Sequence, residues 1–481
     1  MKFRSSVLPL LLVLACHAAD SASPADSASA AATGPVDSAS ILAASDLPAT
    51  LAAPLPGDPA GVTIHRLSNG MSVYISTVRD EPRFDAWIAV RTGGRNDPAN
   101  STGLAHYLEH MLFKGSDEYG TLDMEAEQPH VDRIAALYDE LRKADEGRRA
   151  EIFKEIDAET VAISKTAVPN ELSKTYSAIG VQGLNAFTNN DATVYIGSVP
   201  ANRIASWARV ESERFRDPVF RLFFPELEAV YEEKNRGLDS PGRRVYNLVS
   251  QTLYPDHPYG SQTVLGSVEH LKTPAYGDMV AYFERWYVPN NMAIILAGDV
   301  DAKTALPILE KYFSGAESKP VPEKPPGTIT PIKGRKFASL KAKGEETVQI
   351  AWPTVPVGHP DEDALVVMDW LVDNSSSGLL NVKLLLSQKL PSGGSNPQIQ
   401  PEAGHWNMRG TAKTDQSLKE VEDLLLSVRD AIVAGEFTQE QIDAIVLNEE
   451  ISLKQRMEST GGRVSLMQDA FIERQPWAHV V

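Results

Sequence analysis

The chain has a single cysteine, Cys16, so neither a disulfide framework nor a thiolate metal site can exist in its folded part. Any metal must sit on His, Asp or Glu. Basic residues are in deficit: 46 Lys plus Arg stand against 64 Asp plus Glu, a net charge of −18. That charge repels phosphate backbones and excludes nucleic acid as a partner. Beyond the N-terminal segment no stretch offers the ~18 uninterrupted apolar residues of a membrane-spanning helix. What is present is ordinary globular composition, 42% hydrophobic and 23% charged over 481 residues, enough for two or three cores.

Residues 1–19 carry Lys2 and Arg4, the apolar run Val7–Ala15 and small residues after it, the pattern of a secretory signal. Val13-Leu14-Ala15-Cys16 resembles a bacterial lipobox, which would make Cys16 the lipid-bearing first residue; cleavage near Ala19 is the alternative. Export follows from either, and a lipid on Cys16 is the one membrane attachment expected. Residues 20–57 alternate Ala, Ser, Pro and Asp and read as a flexible tether.

Folded sequence begins near Gly61. Strand-like runs at 62–67 and 71–75 flank Ser68-Asn69-Gly70, a hairpin signal. Phe84–Arg91 reads as a third strand, and Gly93–Pro98 breaks it before a helix starting near Thr102. Residues 124–165 show two apolar stripes of helical period joined around Asp145-Glu146-Gly147, a helical hairpin. A second β-hairpin is expected around Asn189-Asn190-Asp191, helices over 200–216, 225–236 and up to about Phe313, and a buried strand at Met292–Asp299. Five prolines between Ser314 and Gly334 mark a linker. The domains expected are therefore a first one over 58–313, a linker over 314–334 and a second over 335–481. The second loosely repeats the first: strand Val348–Trp352, helix Asp361–Val372, and a longer helix with Leu418, Val421, Leu425 and Val428 on one face. Where the first has a polar helix, the second has Ala364–Trp370, which can pack but cannot ligate.

The chemistry lies in Gly103–Phe113. His106 and His110 stand four apart with Glu109 between them, which on a helix puts both imidazoles on one face, one turn apart. Two neutral imidazoles so placed can share one Zn²⁺, and the neighbouring carboxylate can take the proton of the metal-bound water. Chance supplies fewer than about 0.03 such patterns in a chain of this composition. A catalytic zinc generally needs a third protein ligand. The run Glu226, Glu228, Glu232 and Glu233 offers four, with Glu226 and Glu233 on one helical face; taken alone, such a run is also what a solvated helix face looks like.

The H-x-x-E-H order resembles the inverzincins of the pitrilysin/insulinase family. The likeness extends over most of 61–475, through Gly183–Thr188, Thr193-Val194-Tyr195, Glu226–Glu233, His257-Pro258-Tyr259-Gly260, Tyr287–Met292 and Gly298-Asp299-Val300. The resemblance implies an α+β fold of two related domains, each a mixed sheet covered by helices, together half of a clamshell. It implies one Zn²⁺ held by His106, His110 and Glu233, with Glu226 supporting them from behind and Glu109 as catalytic base. It also implies that Gly183, Leu184, Asn185, Ala186, Phe187 and Thr188 form an edge strand that pairs with an extended peptide or unfolded polypeptide, the β-augmentation mode. The reaction expected is zinc-dependent endopeptidase hydrolysis, by an exported protein that is either periplasmic or an outer-membrane lipoprotein of a Gram-negative bacterium.

The helical hairpin at 124–165 departs from compact members of the family and reads as an insertion and a lid. A full chamber in the family needs a second half, so the chain is expected to be a piece of a longer peptidase or one half that takes a partner chain. Two rival readings are a non-catalytic relative that binds peptides or holds an assembly together, and an exported metal-binding or adhesion protein. Metal content measured together with hydrolysis of a quenched peptide separates all three.

Overall fold

The structure is a computed structural model that describes residues 47–272, 276–322, 327–374 and 377–481. The signal segment, Cys16 and most of the expected tether lie outside the described residues. The chain divides into two units, Ala44–Lys343 together with Ser452–Val481, and Gly344–Ile451.

The first unit is built on six strands: β1 (Val62–Arg66), β2 (Ser72–Thr77), β3 (Arg83–Val90), β4 (Gln182–Thr188), β5 (Thr193–Pro200) and β6 (Met292–Gly298). Their order is β1-β2-β6-β3-β5-β4, so β4 lies at one edge. Only β2 and β6 run parallel; every other pair is antiparallel. The sheet is therefore mixed, and the fold is α+β. The helices that precede the second unit are α1 (Leu104–Met111), α2 (Met124–Leu141), α3 (Glu146–Ile163), α4 (Glu171–Ala178), α5 (Ile204–Arg216), α6 (Phe223–Asp239), α7 (Pro241–Leu253) and shorter segments through Ala302–Phe313.

All seven residues of β6 are buried. A strand with one wet face alternates; a strand covered on both faces reads as an unbroken apolar run. Met292, Ile294 and Leu296 point into the large core under the helices, whereas Ala293, Ile295 and Ala297 point the other way. That second face is covered by Thr460–Ile472, whose Val464, Met467 and Phe471 are fully buried against it. Arg91 lies 4.0 Å over the Phe471 ring. The second domain was expected to run to residue 481. Instead the last thirty residues belong to the first unit, because the small residues on the back of β3 and β6 leave an apolar face that must be shielded from water.

The helical hairpin is α2 and α3, with Asp145 capping α3 by accepting from the Arg148 N–H at 2.9 Å. The expectation of a lid is not met. Val131, Ile134, Leu137, Tyr138, Leu141, Ile152 and Ile156 are buried in the same core as the sheet. The buried Arg221 guanidinium also holds the buried Glu127 of α2 at 2.6 Å. Each such apolar side chain contributes roughly 1.5–3 kcal/mol relative to exposure, so lifting the hairpin costs far more than a lid movement can supply.

The second unit has a three-stranded antiparallel sheet of Thr347–Thr354, Gly404–Thr411 and Gly393–Ile399, in that spatial order. Helices Glu362–Val372 and Leu418–Val433 pack Leu365, Val372, Val421, Leu425 and Val428 against Trp406 and Met408. Where the first unit carries two histidines on a helix, this one carries Asp369, which accepts from Trp406 Nε1 and Ser395 Oγ at 2.6 Å each.

Candidate metal centre

Helix α1 is eight residues long and all but one of them are buried. Leu104, Ala105, Leu108 and Met111 fill the core around it, so a helix with apolar neighbours on most sides carries the polar residues of the motif. Its start is held by Asp97, which accepts from the Gly103 and Ala105 N–H groups at 2.6 and 2.9 Å. Gly103 has φ +88 and lies so close to Gly266 that an added Cβ would come within 2.9 Å of its Cα. Only glycine meets both requirements.

Helix α6 crosses beside α1. The Tyr107 hydroxyl donates to the Phe223 carbonyl, and the Tyr107 and Phe223 rings lie 4.8 Å apart. This contact sets Glu233 opposite the histidines. Its Oε2 is 3.5 Å from His106 Nε2 and 3.5 Å from His110 Nε2, and the two rings are 4.8 Å apart. Glu228 and Glu232 do not join the group; among the described residues the three that come together here are His106, His110 and Glu233.

Seven residues before Glu233, Glu226 meets His110 from behind. Its Oε1 is 2.8 Å from His110 Nδ1, and its other oxygen pairs with Lys114. With Nδ1–H donated to Glu226, the His110 Nε2 lone pair faces Glu233. Burial opposes ionisation of Glu226, but the His110 and Lys114 hydrogen bonds outweigh it and hold the carboxyl below its usual range. Burial also pulls His110 down; the Glu226 hydrogen bond and the Glu226, Glu109 and Glu233 charges outweigh it and raise it. His106 is lowered to about 4, by burial first and then by the His110 charge. Its Nδ1 is buried without a hydrogen-bond partner.

Glu109 is buried on the same helix, and its Oε2 accepts from Thr188 Oγ1 at 2.6 Å. Burial raises its carboxyl despite that bond. Thr188 is the last residue of edge strand β4. Gly183, Asn185 and Phe187 on that strand are exposed, and Leu184, Ala186 and Thr188 half-buried. The register to β5 slips between Gln182 and Asn185, and Gly183 there has φ +61. The sequence pattern places Thr188 on the strand but not its bond to Glu109, and nothing in it points to Lys114 beside Glu226. Neither carries a local signal, since both bonds join residues far apart in the chain.

The donor set fits a zinc ion. Ligand atoms at ~2.0–2.2 Å from a tetrahedral centre stand roughly 3.3–3.6 Å from one another, and both observed N···O separations are 3.5 Å. With both imidazoles neutral, two ring nitrogens and one carboxylate converging on a common point repel unless a cation or a proton lies between them, and a metal ion satisfies all three donors at once.

A family model described as Insulinase (Peptidase family M16) matches residues 74–130, and one described as Peptidase M16 inactive domain matches 275–448. The probable zinc protease PqqL of Escherichia coli is 25% identical over 278 residues, 55% of this chain and 24% of that protein. The zinc protease PqqE of Helicobacter pylori is 22% identical over 423 residues, 85% of this chain and 82% of its own. The chain thus spans about a quarter of the E. coli relative and most of the H. pylori one. Among solved structures, a protease from H. pylori superposes with a TM-score of 0.67 at 18% identity, covering 86% of this chain and 90% of that one. The first half of the periplasmic protease PqqL from E. coli superposes with a TM-score of 0.61 at 18% identity, covering 89% of this chain and 84% of that one. Among the described residues no helix is long and apolar enough to cross a membrane. The insulinase match spans the α1 histidines and the M16 domain match runs on from the end of the first unit into the second, and the chain belongs to the insulinase family, peptidase family M16.

Proposed function

We propose that the chain is an exported zinc-dependent endopeptidase that holds peptides or unfolded polypeptides as an added strand on β4. One observation carries this reading: a buried Glu109, steadied by the last residue of an edge strand, stands on the same helix as two imidazoles that face a third donor. His106, His110 and Glu233 would hold one zinc ion. When bound, the ion polarises a peptide carbonyl and makes water a nucleophile near neutral pH.

The protein's own part is as follows. Glu226 keeps His110 in the tautomer that turns Nε2 inward. The unpaired edge of β4 offers its backbone groups to an extended chain, and the small Ala186 lets that chain approach closely. Glu109, raised by burial, takes a proton from the attacking water and returns it to the leaving amine. Thr188 fixes the direction of its carboxylate.

The relatives' names as zinc proteases support the peptidase reading, and the periplasmic location named for E. coli PqqL supports export. The match to an inactive domain covers 275–448 and none of the four site residues, which suits a second unit without catalytic groups. The coverage of 43% of the whole E. coli PqqL chain favours a further half or a partner chain beside this one. The deciding experiment measures zinc by mass spectrometry and hydrolysis of quenched peptides on the wild type and on Glu109→Gln. Zinc-dependent cleavage in the first and zinc without cleavage in the second is expected. Cleavage that survives zinc removal would overturn the reading.

A further inference from the structure

A cavity of about 490 Å³ opens beside the metal centre, within the first unit. One wall is the stretch of α6 just past Glu233, including Lys234; a second is the start of α7, including Ser240, Gly242, Arg243, Tyr246 and Asn247; a third holds Asn190, two residues beyond Thr188. The cavity therefore begins where β4 ends.

Its chemistry is one-sided. In a chain with net charge −18, none of the lining residues is acidic and two are basic. Lys234 is buried, and its ammonium donates to the Gly266 carbonyl and lies 3.4 Å from Thr263 Oγ1; both neighbours are neutral, so its charge is uncompensated. Arg243 is exposed, and among the described residues no carboxylate pairs with it. Arg243 lines the same cavity as Lys234, the residue that follows Glu233 in the chain. Two like charges facing one pocket without a counter-ion are unfavourable unless an anion joins them. The thirteen-residue α7 begins there too, capped by Ser240, and its N-terminal end adds partial positive charge.

We propose that this cavity receives a carboxylate of the bound polypeptide, an acidic side chain or a chain terminus, beyond the scissile bond in the direction in which β4 runs from Thr188 to Asn190. The proposal rests on the peptidase reading above. An extended chain laid along β4 with its reacting carbonyl at Glu109 passes over the cavity with its next residues, so a carboxylate there meets Arg243 in a charge-assisted, fork-shaped contact. The chain thus favours substrates with an acidic residue at one defined position, even though its overall charge repels acidic polypeptides.

The test uses the full chain carrying Glu109→Gln, so that binding is read without cleavage, and labelled peptides in which one Glu is moved along an otherwise Gln-containing sequence. A second pair of peptides differs in having a C-terminal acid or a C-terminal amide. Binding about tenfold tighter for Glu at one position, or for the terminal acid, is expected at about 0.05 M salt and shrinks at about 0.5 M; which pair shows it identifies the source of the carboxylate. Arg243→Gln should reduce the preference to within about twofold and Arg243→Lys should retain part of it. Asn247→Glu, which adds a carboxylate to the wall without removing a contact of Arg243, should abolish it even if Arg243→Gln folds poorly. No preference in either pair, or one that Arg243→Gln and Asn247→Glu leave intact, overturns the proposal. A preference in binding combined with no hydrolysis by the wild type would instead sink the peptidase reading and leave the subsite standing.

Discussion

Among the described residues, two groups of three acidic or histidine side chains in the first unit bring their ligand atoms within 4.8 Å of one another: His106, His110 and Glu233, and Asp117, Glu213 and Asp217. Their surroundings differ in the feature that matters. At the second group Arg216 already lies among the carboxylates, pairing with Glu213 and, through Nε at 2.8 Å, with Asp217. Its positive charge takes the place a cation would fill. At the first, no basic side chain pairs with Glu233 among the described residues, and the groups that face it are imidazole nitrogens. Proximity of ligand atoms is thus a weak criterion. What separates a metal centre from a surface cluster is whether the fold has neutralised the donors by another route.

The sharpest way to break this contrast is Glu109→Gln, which should keep zinc at the histidine group and lower peptide hydrolysis by at least ~10²–10⁴, measured as kcat/KM on a quenched peptide. Retained turnover would remove the base from the scheme. Next comes Glu233→Gln, which should strip zinc during dialysis, whereas Glu232→Gln and Glu213→Gln should leave the zinc stoichiometry unchanged; loss of metal from Glu232→Gln would shift the ligand by one residue. Glu226→Gln should weaken zinc affinity by ~10–100-fold, the size found when a residue orienting a ligating histidine is removed, read by competition with a chelator.

The smallest effect belongs to the second group. Burial first, and then Asp117, pushes Glu213 up to about 7. An acid that holds its proton in the native state after the unfolded chain has lost it stabilises the fold at low pH. That contribution disappears as pH rises from about 4.5 to about 7. Melting temperatures across this window should therefore fall less in Glu213→Gln than in the wild type. An unchanged slope would show that Arg216 keeps Glu213 ionised throughout.

Local pattern accounts for what was legible beforehand. The spacing of His106, Glu109 and His110 is a helical repeat, so one segment of sequence fixes their relative positions whatever packs around them. The alternation or continuity of apolar residues likewise located β1, β2, β3 and β6 and both helices of the α2–α3 hairpin. The same hairpin shows the limit. Its standing as an insertion relative to compact members of the family suggested a lid, yet a stripe of five apolar residues on α2 and the buried Glu127–Arg221 pair tie it into the core. An amphipathic pattern says that one face is covered but not by what.

By itself the sequence determined the chemistry available: no thiolates, two imidazoles one turn apart, a carboxylate between them and an acidic run further on. Periodicity restricted Glu226 and Glu233 to one face of α6, but spacing alone could not choose among four glutamates. That choice was made by the crossing of α1 and α6 at Tyr107 and Phe223, which turns Glu233 toward both Nε2 atoms and Glu226 toward Nδ1. Tertiary structure also joined Thr188 to Glu109 across 79 positions and returned Thr460–Ile472 to the back of the first sheet. Both depend on which surfaces are left uncovered once the strands have paired. Such long-range pairings are set by the sum of many burial contacts, and no short stretch of sequence contains that sum.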